Sequence, residues 1–173
     1  VHMCRREWDK IDFDHVTGQT MQKSKNAFMN EKNINEEHRN ICKNNLIEYV
    51  SNKINNNESM KGKTIMPHYF VKEVITSMTR SDNKLLGIDI LNLQWDGMME
   101  QLKTNKNNCM KNCIPCIDVS PSMYSNGDLT PICAAIGMGL ATIEMSNIPR
   151  AFTFSEKPSW IEVSEKESPF NRI

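Results

Sequence analysis

Residues 114–123 read Ile-Pro-Cys-Ile-Asp-Val-Ser-Pro-Ser-Met, an apolar run followed directly by side chains that carry oxygen. The part 114–119 predicts a buried parallel strand, because it is short, apolar and bounded by loop residues. A helix is predicted to begin at Pro131, and further strands are predicted at 151–154 and 160–163. The order strand, helix, strand, strand is that of the first half of a doubly wound α/β fold.

The chain before this region has a helical period instead. Helices are predicted over 19–30, from a cap at Asn35 to residue 54, from Pro67 onward, and from the polar gap at 81–83 to Lys103. Their predicted buried stripes are Cys42, Leu46, Tyr49 and Val50, then Phe70, Val71, Val74, Ile75 and Met78, then Leu91, Trp95, Met98, Met99 and Leu102. The polar linker 104–108 then separates an α-helical segment, 1–107, from the N-terminal half of an α/β domain, 108–173.

The composition limits the classes of function. The 173 residues are 39% hydrophobic, enough for a real core but little for two complete domains. Lysine plus arginine equals aspartate plus glutamate, 21 against 21, so no overall charge draws the chain to nucleic acid or to a membrane. No apolar run approaches the roughly 20 residues that span a bilayer, and no signal-peptide layout is seen. We therefore expect a cytoplasmic protein with no membrane contact.

Six cysteines in a chain with this expected location indicate free thiols rather than disulfides. Cys109, Cys113 and Cys116 have the C-x3-C-x2-C spacing of radical-SAM iron–sulfur ligands. That interpretation is disfavoured, because residues 114–119 form the predicted strand and residues three apart on a strand point to opposite faces. The three cysteines are instead predicted to be small buried hydrophobic residues.

Asp118, Ser120 and Ser122 stand where the first predicted strand turns toward the helix. Ligands of open α/β sheets bind in the crevice at this end of the strands. Alternate residues of a tight loop can direct one carboxylate and two hydroxyls toward one point, and hard divalent cations prefer such oxygen ligands. The alternative is that Asp118 only caps a turn and the serines are solvated. The strand before the loop and the helix and second strand after it favour the metal site.

The string Cys-Ile-Asp-Val-Ser-Pro-Ser-Met at 116–123 resembles the metal-ion-dependent adhesion site of von Willebrand factor A domains, whose pattern is Asp-x-Ser-Gly-Ser-Met. Four further strings are similar to a domain-of-unknown-function family related to TROVE and Ro proteins. They are Trp8-Asp-Lys-Ile11, Met66-Pro-His68, Leu93-Gln-Trp95 and Thr153-Phe-Ser155. In those proteins an α-helical repeat region leads into a von Willebrand A domain, so the resemblance spans nearly the whole chain.

The resemblance implies that Ser120 and Ser122 bind the metal directly and that Asp118 acts largely through water. The expected ion is Mg²⁺, with Mn²⁺ or Ca²⁺ as alternatives. Binding is expected to be weak, because the family's threonine and second aspartate ligands come from later loops, beyond this chain. Asp128 and Thr130 are nearby oxygens, for which turn and helix-start roles are favoured.

Two prolines depart from the family pattern. Pro121 replaces the usual glycine and either stiffens the loop or shifts Ser122. Pro115 falls inside a strand that the family places in the middle of its sheet, where a proline cannot donate a hydrogen bond. A bulge or a gap in the ladder is therefore expected at Pro115.

The resemblance implies a non-enzymatic binding protein that contacts a protein partner through a divalent cation. One alternative is an RNA-associated protein of the Ro type, for which the candidate cations are Arg5, Arg6, Lys23, Lys25, Lys61 and Lys63. Against this, scattered cations are usually a solvated surface. Another alternative is a structural, virion-packaged protein, since the excess of asparagine, lysine and isoleucine is typical of AT-rich genomes, including those of large DNA viruses. A second copy that completes the sheet is a further candidate partner.

Enzyme chemistry is not expected. His15, His38 and His68 are not accompanied by a nucleophile in a recognisable arrangement. His68 follows Pro67 and is better explained as a residue of the helix start.

Overall fold

The computed structural model describes residues 2–30, 33, 35–78, 84–104, 109–124 and 129–162. Within these residues the fold is mixed α/β, with five α-helices and one small sheet. The helices are α1 (Gly18–Phe28), α2 (Glu37–Asn55), α3 (Pro67–Met78), α4 (Lys84–Lys103) and α5 (Thr130–Met145). The strands are β1 (Cys116–Asp118), β2 (Arg150–Phe154) and β3 (Trp160–Glu162).

The chain divides into two compact units, and each takes residues from two stretches of sequence. Unit 1 is Val1–Thr64 with Asp82–Gly97, and unit 2 is Ile65–Ser81 with Met98–Ile173. The units are interleaved along the chain and follow packing rather than sequence order. The predicted segments 1–107 and 108–173 therefore stay a prediction.

Unit 1 is built around the apolar faces of α1, α2 and the first part of α4. Its core includes Trp8, Phe13, Met21, Phe28, Cys42, Leu46, Val50, Ile90 and Leu93. Thr17 caps α1 by accepting a hydrogen bond from the backbone N–H of Thr20, as expected for a threonine at this position. Gly97 of α4 lies so close to Met60 that an added Cβ would be 1.9 Å from the Met60 carbonyl oxygen. A glycine is required there by close backbone approach.

Unit 2 places α3 against α5, and α5 against the sheet. A Cβ added to Gly139 would lie 2.4 Å from the Ile117 side chain on β1, so this glycine allows α5 to approach the sheet. A Cβ added to Gly137 would meet the backbone of Pro67 on α3 instead. Gly139 thus permits the approach of α5 to the sheet, and Gly137 permits its approach to α3.

The sheet has the order β1-β2-β3. Strands β1 and β2 are parallel, with Ile117 opposite Thr153, while β2 and β3 are antiparallel, with Ala151 opposite Ile161. A parallel pair needs a crossover connection, and α5 provides it. Ile117 and Ala151 are buried with Ile143 of α5, so α5 covers one face of the sheet. In the described sheet β1 is an edge strand, although it was expected in the middle.

Most predicted elements are confirmed in type but shifted at their ends. Strand β1 is shorter than predicted, and α2 is preceded by Glu36 rather than by Asn35 as its N-cap. Leu102 is exposed, because it lies on the last turn of α4 rather than in the core. Some predicted features lie outside the described residues, namely the gap at 81–83, the linker residues 105–108, Asp128 and Val163.

Among the helices in the described part of the chain, none is both long enough and apolar enough to cross a membrane.

Candidate metal site

The candidate site is the loop that follows β1. The parallel ladder continues one residue past the strand, where the Val119 N–H donates to the Phe154 carbonyl at 2.9 Å. The chain then forms a 3₁₀ turn over Pro121–Met123, closed by the Met123 N–H donating to the Ser120 carbonyl at 3.0 Å. The end of β1 and this turn together fix the backbone positions of Asp118, Ser120 and Ser122.

The three predicted ligands converge. The Ser120 N–H donates to Asp118 Oδ1 at 2.9 Å, and the hydroxyl oxygens of Ser120 and Ser122 are 2.9 Å apart. A hydrogen bond from the Ser120 hydroxyl and a second from its N–H hold the pKa of the Asp118 carboxyl below its ordinary value. Asp118 and Ser120 are half-buried and Ser122 is exposed. The loop therefore presents an ionised carboxylate and two hydroxyls to solvent.

No group of three or more histidine, cysteine, aspartate or glutamate side chains in the described ranges could hold a metal. Thr130 begins α5, which agrees with its predicted helix-start role. The oxygen donors that the structure brings together in the loop are one carboxylate and two hydroxyls.

The structure accounts for both prolines. Pro121 occupies the first position of the 3₁₀ turn, where its fixed φ is suited and no N–H is needed. With the proline in place, the Ser122 hydroxyl lies 2.9 Å from that of Ser120. Pro115 precedes β1 and contributes its carbonyl, which accepts from the Phe152 N–H at 3.0 Å. The ladder starts after Pro115, and no bulge is needed.

The prediction of buried cysteines at 109, 113 and 116 is wrong, because all three are exposed. Cys109 and Cys113 lie in turns before β1, with the Cys113 thiol donating to the Cys109 carbonyl at 3.6 Å. Cys116 is exposed and the next residue on the strand, Ile117, is buried. Since successive side chains on a strand point to opposite faces, Cys116 faces away from α5. All six cysteines are free thiols in the structure.

The candidate RNA-binding cations are not equivalent. Lys25 is only 5% exposed and is unavailable to a phosphate backbone. The Lys61 ammonium donates to the Asp14 carbonyl, while Arg5, Arg6, Lys23 and Lys63 are exposed.

His15 hydrogen-bonds Asp12 at 2.8 Å, and this bond lowers the pKa of the Asp12 carboxyl.

Phe154 is a neighbour of the loop that was not predicted as a site residue. It lies directly opposite Asp118 in the parallel register of β1 and β2. Its side chain is 57% exposed, which is unusual for a large aromatic residue on a strand. The alternation in Ala-Phe-Thr-Phe could have indicated which face Phe154 lies on. It places Phe152 and Phe154 on the face opposite Ala151 and Thr153.

Two of the four strings that suggested a family, Trp8–Ile11 and Leu93–Trp95, have structural roles in unit 1. Trp8 is buried, with the Arg39 guanidinium 4.0 Å from its ring centroid. Trp95 is fully buried, and the Gln94 amide donates to the carbonyls of Gly18 at 3.2 Å and Lys61 at 3.5 Å. These residues hold segments of unit 1 together and are distant in sequence from the loop at Asp118.

Comparison with known proteins identifies one family and one viral relative. The family described as "Domain of unknown function (DUF2828)" matches residues 1–107. An uncharacterized protein of Acanthamoeba polyphaga mimivirus is 29% identical over 164 residues, which cover 91% of this chain and 26% of the relative. The chain therefore spans about a quarter of the length of that relative. No solved structure matches the chain.

Proposed function

This chain belongs to the DUF2828 family, and we propose that it is a non-enzymatic binding protein whose Asp118 loop holds a divalent cation for contact with a protein partner. The observation that carries the proposal is the convergence of Asp118, Ser120 and Ser122 at the end of a parallel strand. This is the position at which open α/β sheets bind their ligands.

The spacing of the two hydroxyls suits Mg²⁺. Octahedral Mg²⁺ holds oxygens at 2.0–2.1 Å, so two adjacent ligands lie about 2.9 Å apart. Ser120 Oγ and Ser122 Oγ are 2.9 Å apart. The lowered pKa of Asp118 favours the ionised carboxylate, which is the form that attracts a cation. Donor type, spacing and charge therefore all fit a hard divalent ion.

The topology supports a von Willebrand A-type half-domain as the framework of the site. Strand order β3-β2-β1 corresponds to the first half of the doubly wound order 3-2-1-4-5-6. The antiparallel β3 is compatible, since many doubly wound sheets carry an antiparallel edge strand. In that arrangement a fourth strand would pair with the open edge of β1.

By the von Willebrand A resemblance, Ser120 and Ser122 would hold the ion directly and Asp118 through water. A bound Mg²⁺, Mn²⁺ or Ca²⁺ supplies a position that accepts a carboxylate oxygen from a partner. With one carboxylate and two hydroxyls, the described site would bind the ion weakly, and the family's threonine and second aspartate would strengthen it.

A titration with MgCl2 and MnCl2, followed by thermal unfolding and calorimetry, tests the proposal. Binding to the folded state alone stabilises it by about 1.4 kcal/mol at ten times Kd, which raises the unfolding midpoint. We expect this rise in the wild type, its loss in Asp118→Ala and its reduction in Ser122→Ala. Asp9→Ala is the control, because Asp9 is an exposed aspartate outside the loop. A wild-type midpoint unmoved by millimolar metal would refute the site.

RNA association of the Ro type stays a prediction, and the burial of Lys25 removes one of its six candidate cations. Filter binding of single-stranded RNA at low and high salt tests it, because phosphate contacts weaken steeply as salt rises. Packaging in a virion also stays a prediction.

A further inference from the structure

We propose that Cys109 and Cys113 form a reversible disulfide, which makes the turn before β1 a site of redox modification. The oxidant that this site takes is a low-molecular-weight disulfide such as oxidised glutathione. Neither residue belongs to the Asp118 loop, so the site is independent of the cation proposed there.

A direct contact brings the two residues together. The Cys113 sulfur lies 3.6 Å from the Cys109 carbonyl oxygen. A carbonyl oxygen is about 2.4 Å from the Cα of its own residue, so this sulfur is within about 6 Å of the Cys109 Cα. Each cysteine sulfur swings about its own Cα–Cβ bond among staggered rotamers. Rotation of the two side chains covers a gap of this size.

Hydrogen bonds hold the turn that carries this contact. The Cys113 N–H donates to the Met110 carbonyl at 3.0 Å, which folds the chain back between the two cysteines. The Lys111 carbonyl accepts from the Asn147 N–H at 2.8 Å and from the Ser146 hydroxyl at 3.4 Å. The middle of the turn is therefore anchored to the residues that follow α5, and the two thiols stay at short range.

Cys116 is a poorer partner for Cys113, although the two have the C-x2-C spacing. Cys116 is the first residue of β1, and the Pro115 carbonyl accepts from the Phe152 N–H in the ladder. Ile114 precedes a proline, which favours extended backbone. Three residues of extended chain span about 10 Å, beyond the roughly 7 Å between Cα atoms that a disulfide tolerates.

The exposure of both thiols allows a balanced exchange with a small disulfide. First, one cysteine thiolate attacks a sulfur of oxidised glutathione, which forms a mixed disulfide and releases one glutathione thiolate. The second cysteine thiolate then attacks the protein sulfur of the mixed disulfide, which forms the Cys109–Cys113 bond and releases a second glutathione. Two protein thiols are oxidised, one glutathione disulfide is reduced, and the two thiol protons pass to the glutathiones. Exposed disulfides are the readily reduced ones, so the modification is reversible.

Peptide mapping tests this pairing directly. The 173-residue chain is incubated with a glutathione redox buffer at pH 8, alkylated with N-ethylmaleimide and digested with trypsin. Lys111 stands between the two cysteines, so trypsin separates the peptide 107–111 from the peptide 112–150. We expect these two peptides to be joined by a disulfide that dithiothreitol breaks. Cys109→Ser and Cys113→Ser should each abolish this cross-link, and the remaining thiol of the pair should stop at the mixed disulfide with glutathione.

Cys116→Ser is the matched control, because it removes an exposed cysteine of the same tryptic peptide and should leave the cross-link unchanged. Unreacted thiols, or mixed disulfides at Cys109 and Cys113 without the cross-link, would overturn the inference. A cross-link that survives in Cys113→Ser would do the same, since Cys116 or Cys133 would then be the partner of Cys109. A disulfide within the peptide 112–150, or one that joins two copies of the chain on a non-reducing gel, would also contradict the pairing.

Discussion

Gly137 of α5 lies directly against the backbone of Pro67 at the start of α3. An added Cβ at position 137 would be 2.7 Å from the Pro67 carbonyl carbon and 2.8 Å from its oxygen. Backbone atoms at the first turn of a helix cannot move aside as a flexible side chain can. The α3–α5 contact in unit 2 therefore depends on a residue without a side chain.

Gly137→Ala is predicted to destabilise the protein. Overpacking costs about 1–3 kcal/mol, and a clash with backbone atoms falls in the upper part of that range, about 2–3 kcal/mol. Alanine recovers about 1 kcal/mol through its better helix propensity. We expect a net loss of about 1–2 kcal/mol in the free energy of unfolding, measured by urea denaturation. Met138→Ala, at the exposed neighbouring position, should stay within about 0.5 kcal/mol of wild type. A Gly137→Ala protein as stable as wild type would contradict the close contact.

The six free cysteines are predicted to react in two classes. Cys4, Cys109, Cys113 and Cys116 are exposed, while Cys42 and Cys133 are buried. Burial raises the pKa of the Cys42 thiol to about 11, so almost none of it is thiolate at neutral pH. With a disulfide reagent such as Ellman's at pH 7.5, four thiols should react quickly in the native protein. The other two should react after unfolding in guanidinium, and fast reaction of all six would contradict the burial of Cys42 and Cys133.

The convergence at Asp118 could be predicted from sequence because it is local. Asp118, Ser120 and Ser122 are separated by single residues, and the apolar run before them marks the strand end that positions them. Helix starts with a local signal were also predictable. Pro67, for example, begins α3 as expected, because a residue in the first turn of a helix needs no backbone N–H for a hydrogen bond within the helix.

Features that depend on distant residues could not be predicted in this way. The position of Phe154 beside Asp118 follows from the register between two strands, and alternation alone does not specify which residue of β1 it faces. The packing partner of Gly137 could not be predicted either. A glycine in a helix indicates a close approach but does not specify which residue is approached. The exposure of Cys116 depends on which face of the sheet α5 covers.

Titration of Asp118 gives a direct test of the loop. The hydrogen bonds from Ser120 lower the pKa of this carboxyl in the folded chain, with the Ser120 hydroxyl as the largest cause. Any stabilisation that results is present above the unfolded pKa and is lost as the pH falls through the lower, folded value.

We expect an NMR titration of the Asp118 carboxyl carbon to give a midpoint below the ordinary 3.8 in the wild type. In Ser120→Ala the hydroxyl is removed while the backbone N–H remains. The midpoint should therefore move upward without necessarily reaching the ordinary value. Ser155→Ala is the control, because Ser155 follows β2 and its hydroxyl oxygen accepts from the Lys157 N–H. A midpoint in Ser120→Ala equal to that of the wild type would show that the hydroxyl of Ser120 does not contact Asp118.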